Sequence, residues 1–119
     1  MVRLTARLWT YWARVASASL LAVTALNHAL KAPGADDAPR HAWFVVINVA
    51  LALLLLLRPR WALVPTTLLT VQQLQSHGTE LFRSLRDPSL AFDWASLGVL
   101  LFFPLLLLVL VIERRSSSQ

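Results

Sequence analysis

The stretch "VALALLLLL" (Val49–Leu57) carries no polar side chain on any face. A helix of a soluble bundle keeps a polar side for water, so a helix through this stretch belongs in a membrane rather than on a protein surface. It is part of one of four apolar blocks: Val15–Leu30, Ala42–Leu57, Trp61–Phe82 and Trp94–Ile112. Each holds 16 to 22 residues, against the roughly 17–25 that cross a bilayer's hydrocarbon core. The chain has 119 residues, 57% hydrophobic and 14% charged. The expected fold is therefore all-α and a single domain over residues 1–119: an integral membrane four-helix bundle, up-down-up-down, with spans near 12–31, 42–57, 61–82 and 94–112. Residues 116–119 ("SSSQ") are expected to form a flexible tail.

The first block also has the basic flank and apolar core of a signal peptide. Asn27, His28 and Lys31 stand where a small-residue cleavage site belongs, so the block is read as a retained helix. Absence of cysteine excludes disulfide, thiolate-metal and iron–sulfur chemistry. Ten of the eleven basic residues are arginine, but they sit at block ends and form no compact patch, so no nucleic-acid partner is expected.

The charges sort by loop. Arg3, Arg7, Arg14, Arg58, Arg60, Arg114 and Arg115 lie on one side with a single acid, Glu113. Lys31, Arg40, Arg83 and Arg86 lie on the other with Asp36, Asp37, Glu80, Asp87 and Asp93. Excess Lys and Arg stay on the cytoplasmic side, which places both termini there. Pro65 is expected in the first turn of the third helix, and Pro104 in the middle of the fourth. The tight "RPRW" turn at Arg58–Trp61 makes helices 2 and 3 antiparallel neighbours.

Steps of four and three mark one seam of a helix. On the first helix they pick out Arg3, Arg7, Thr10, Arg14, Ser17, Leu21, Thr24, His28 and Lys31; on the third, Thr66, Thr70, Gln73, His77 and Glu80. Polar side chains in lipid turn towards other helices or a wet cavity. Aligning the two seams by depth sets His28 opposite His77, Thr24 near Gln73 and Lys31 near Glu80. The expected outcome is a polar pocket in the outer half, drawing on Thr24, Asn27, Lys31, Asn48, Gln73 and Asp93, with Ser96 helping to close its mouth. Within it His28, His77, Glu80 and His41 are candidates to bind haem b or a divalent metal. The plainer reading of the Ser, Thr and Gln members is interhelical hydrogen bonding, and Gln72 and Gln75 fall off the seam. Two segments, "SLLAVTALNHA" (Ser19–Ala29) and "TLLTVQQLQSHG" (Thr67–Gly78), align with one insertion, as a parallel internal repeat would.

From Arg14 to His77 the chain resembles the DoxX-like group of small four-helix bacterial membrane proteins. The resemblance rests on Arg14, on "LLAVTALNHALK" with its His-x-x-Lys ending, on the Arg58–Pro59 turn and on a late histidine in the third span. Ala29 stands where that group often has glycine, and Asn48 is the only polar counterpart of its acidic residue in span 2. The resemblance implies a four-helix bundle with links to redox or quinone-associated complexes, a multi-pass place in the bacterial inner membrane and no catalytic residues to carry over.

Three functions stay open: a subunit or accessory protein of a membrane complex, a haem- or metal-binding membrane protein, and a small dimeric transporter. The expected partners are the lipid bilayer and other membrane proteins or a second copy. An enzyme is not expected, since the chain has three glycines, no phosphate-cradling loop and no nucleophile elbow.

Overall fold

Proline marks most of the helix boundaries. The computed structural model describes residues 2–34 and 36–118, and leaves out the side chain of Arg3, the first member of the predicted seam. Helix α1 runs Val2–Lys31, followed by a short 3-10 turn at Ala32–Gly34 that contains Pro33. Helix α2 (Ala38–Leu57) carries Pro39 in its first turn, α3 (Pro59–Arg86) begins on a proline, and Pro88 follows its C-terminal cap. Proline suits a first turn because it has no N–H to leave unpaired. Helix α4 is Trp94–Ser117. No strand occurs among the described residues.

Only a single residue separates α2 from α3. Arg58 leaves the helical region at φ −143°, ψ 67°, as expected for a residue that would clash with a following proline if it stayed there. Because α3 starts at Pro59, Pro65 lies beyond its first turn and inside the helix, which corrects the sequence expectation. Pro104 sits within α4 as expected. Helix α4 continues to Ser117, where the Ser116 and Ser117 hydroxyls donate back to Ile112 and Glu113 carbonyls at 2.9 Å.

Two helices, α2 and α4, are long and apolar enough to cross a membrane. Helices α1 and α2 associate most closely, then α3 with α4, while α1 meets α4 and α2 meets α3 less extensively. Helices α1 and α3 lie on a diagonal without close approach. His28 meets His41 and Arg14 meets Leu55, so α1 and α2 are antiparallel; the His77–Ser96 contact makes α3 and α4 antiparallel too.

The inward side follows the seams. Thr10, Arg14, Leu21, Thr66, Thr70 and Gln73 are buried, and His28 and His77 half-buried. Arg7, Lys31 and Glu80, the outermost described members, are exposed because the seams run past the ends of the partner helices. Ala18, Ala52 and Ala62 join Leu51, Leu55 and Leu106 in the apolar core, small residues that let backbones approach. Val23, Leu26, Leu68, Val71 and Leu105 point outward and are exposed.

One polar cluster closes the end of the bundle away from the histidines. The Leu55 carbonyl would receive the N–H of residue 59 in a continuous helix, but that residue is proline. The Arg14 side chain, 9% exposed, supplies the missing donor: Nη1 donates to Leu55 O at 2.6 Å. Arg14 Nε lies 2.9 Å from Glu113 Oε2 of α4, an ion pair whose N–H is not aligned as a hydrogen bond. The guanidinium thus faces both a carboxylate and the negative end of α2. Removing either charge leaves the other partly shielded and without its counter-ion, so Arg14→Ala or Glu113→Ala alone is expected to cost about 1–3 kcal/mol. The double variant should cost well under the sum of the singles. Denaturant unfolding of the purified protein measures all three; strict additivity would show that the pair is not coupled.

Candidate functional site

At the opposite end from Arg14 the four helices surround a partly open cavity of about 590 Å³. Thr24 and His28 of α1, Arg40, His41 and Asn48 of α2, Gln73 and His77 of α3, and Asp37 just before α2 supply its polar lining. Ile47, Leu69, Val99, Phe102 and Phe103 make the remainder apolar. Space exists partly because α4 presents Ala95 and Gly98; a methyl group at Gly98 would meet nothing within 4 Å. Few polar groups on a largely apolar wall is the usual make-up of a small-molecule site.

The first imidazole unit joins α1 to α2. His28 Nδ1 and His41 Nδ1 are 2.9 Å apart, which requires one to hold a proton and the other to accept it. The His28 ring stacks on Phe44, centroids 5.2 Å apart and planes within 18°. Phe44 is three residues beyond His41 and so on the same helical face. Arg40 lies over the Phe44 ring at 5.7 Å, and its guanidinium is 3.9 Å from the Asp37 carboxylate at the exposed rim.

The second unit joins α3 to α4. Asp93 caps α4, accepting from the Ser96 backbone N–H at 3.0 Å and from its hydroxyl at 2.6 Å. These two bonds favour the carboxylate and hold the Asp93 carboxyl below its ordinary pKa, the hydroxyl being the larger cause. Having given its only proton to Asp93, Ser96 Oγ accepts from His77 Nδ1 at 2.9 Å. His77 is thereby set in the Nδ1–H tautomer when neutral, with Nε2 as an acceptor.

Of the residues expected at the pocket, Thr24, His28, His41, Asn48, Gln73 and His77 line this cavity. Asn27, Lys31 and Glu80 do not: Asn27 and Lys31 are exposed, and Glu80 borders a separate cleft with Arg83, Asp87 and Asp93. Asp93 reaches the cavity only through Ser96 and His77. The depth alignment set His28 against His77; His28 instead meets His41, because α1 and α3 are diagonal and the cavity lies between them. Lys31 and Glu80 form no ion pair with each other. Asp37, Arg40 and Phe44 were not anticipated. Their signal was Pro39, which starts α2 early enough to put Arg40, His41 and Phe44 on helical turns.

Among the described residues, no three His, Asp or Glu side chains are grouped closely enough to hold a metal ion. His28 and His41 engage each other through Nδ1, so a metal or haem iron meeting this arrangement intact would have to use Nε2. The chain matches no protein-family model, no curated protein and no solved structure.

Two outcomes follow from these bonds. Nitrogen NMR of ring-labelled protein near pH 8 should show His77 as the Nδ1–H tautomer, and Ser96→Ala should return it towards the commoner Nε2–H form; an unchanged spectrum would remove Ser96 as the cause. Asp93 contributes stability above the unfolded carboxyl pKa of about 3.9, and that contribution fades as pH falls through the lower folded value. The melting-temperature advantage of wild type over Asp93→Ala should therefore be full near pH 6 and shrink as pH falls from about 5 to 2. An advantage that grows on acidification would contradict it.

Proposed function

We propose that this chain is a small multi-pass membrane protein whose four helices all span the bilayer and whose outer-half cavity binds a small molecule. The observation that carries the reading is the reversal of polarity combined with the cavity. Arg14, Asn48, Thr66, Thr70, Gln73 and Ser96 are buried, while leucine, valine and tryptophan cover the outside. An apolar exterior of this extent asks for an apolar solvent. Helices α1 and α3 are less apolar than α2 and α4 because each carries a polar seam, and both seams turn inward. The architecture is also what the resemblance to DoxX-like proteins implies.

Arginine distribution supports both termini in the cytoplasm, so the cavity opens away from it, and a bacterial inner membrane suits this arrangement. Lack of native cysteine makes the test clean. Single cysteines at Asp36 and Ser89 should react with a membrane-impermeant maleimide in intact cells, whereas cysteines at Thr5 and Ser117 should react only after permeabilisation. External labelling at Ser117, or at neither loop, would overturn the topology.

One observation favours a role as a subunit or homodimer alongside ligand binding. Gln72, Gln75 and Thr79 are exposed on the outer face of α3, and amide side chains in lipid are commonly satisfied by another helix. Recovery of a specific membrane partner or dimer that is lost in Gln72→Leu/Gln75→Leu would support that role.

A further inference from the structure

Hydrogen bonds already made inside the protein determine what the cavity offers a ligand. The Thr24 hydroxyl spends its proton on the Leu20 carbonyl at 2.9 Å, leaving its oxygen as an acceptor. Asn48 donates one Nδ2 hydrogen to the Phe44 carbonyl at 2.7 Å, leaving its amide oxygen and a second N–H, and Gln73, which gives one Nε2 hydrogen to Gln72 Oε1, likewise keeps its oxygen and one N–H. His77 donates from Nδ1 to Ser96, leaving Nε2. Thr24, Asn48 and His77 come from three different helices and line the same space. When both rings are neutral, the His28–His41 pair adds complementary groups: the ring whose Nδ1 accepts keeps its proton on Nε2, and the other ring has a bare Nε2. The interior therefore holds several acceptors and a smaller number of donors.

Charge narrows the choice. Asp93 directs its carboxylate oxygens at Ser96 and does not line the cavity, so a cationic ligand meets no free carboxylate inside. The one lining acid, Asp37, stands at the rim beside Arg40. An anion would meet Arg40 at the rim but would be set against the Thr24, Asn48 and His77 acceptors farther in. Ketones and ethers only accept hydrogen bonds and would leave those acceptor atoms without a donor from the ligand. A hydroxyl group both donates and accepts.

We propose that the cavity recognises an uncharged amphipathic alcohol or phenol. Its hydroxyl donates to the acceptors of Thr24, Asn48 or His77 and accepts from an imidazole N–H of the His28–His41 pair. Its apolar body lies against Phe102, Phe103 and Val99. The cavity's volume, about 590 Å³, is within the usual range for a drug-sized ligand. This inference rests on the reading of the cavity as a ligand site and adds the ligand's chemical class.

The test compares para-hexylphenol with para-hexylanisole, its methyl ether, by calorimetric titration of the full chain in lipid nanodiscs against empty nanodiscs. The phenol should bind the protein roughly tenfold more tightly than the ether, which has the same apolar body but no donor. In His77→Phe the preference should fall to about threefold or less, and Thr24→Val, a nearly isosteric change, should reduce it without unfolding the helix. Equal binding of both probes would overturn the hydroxyl inference while leaving a ligand cavity in place. Binding of neither probe would overturn both. A full preference surviving in both variants would place phenol recognition elsewhere and overturn the assignment.

Discussion

In a helical protein with an apolar exterior, every inward polar group has to find its partner within the protein. Most do so locally. The hydroxyls of Thr10, Thr24 and Thr70 donate to carbonyls three or four residues earlier, a pattern that satisfies Thr without help from another helix. What remains is a short set of contacts between helices: Arg14 to Leu55 and Glu113, His28 to His41, and His77 to Ser96. These pin α1 to α2 at both ends, α1 to α4 at one end and α3 to α4 at the other. Thr66 Oγ1, buried without a partner, is an exception.

The cavity is a consequence of where the bundle narrows. Around Leu55 and Leu106 the alanines at 18, 52 and 62 allow close contact, and the guanidinium of Arg14 fills the end of the bundle. Towards the histidines, nothing packs within 4 Å of a methyl group placed at Gly98 of α4, and α2 and α3 are the most loosely associated of the neighbouring helix pairs. Aromatic rings then line a space that the two imidazole units border.

Much of this was legible in the sequence. The apolar blocks located all four helices, and spacing by fours and threes found the inward faces of α1 and α3, including Thr10, Thr66, Thr70 and Gln73. Helix ends were less legible because apolar runs mark where a helix is greasy, not where it stops: α1 extends through "RLTARLWTYWAR" to Val2. The histidine pairing failed for a geometric reason. Matching depth on two parallel helices says nothing about distance when they are diagonal. The rule that works is antiparallel register. His28 and His41 are about equally far from the turn at Gly34, as are Arg14 and Leu55, and His77 and Ser96 from the turn after Arg86.

The two ends of the molecule differ in a way that bears on mechanism. At the Arg14 end, a desolvated ion pair and a capped helix terminus join three helices, and opening it would expose a charge cluster held by several contacts. At the other end the contacts are single hydrogen bonds between imidazoles and hydroxyls around a space already partly open. A carrier that alternates its opening needs two ends of comparable strength, since both must break in each cycle. A binding protein needs only one. With Arg14 joining three helices at one end and single hydrogen bonds at the other, the proposed ligand site would exchange its ligand from the histidine end rather than through the bundle.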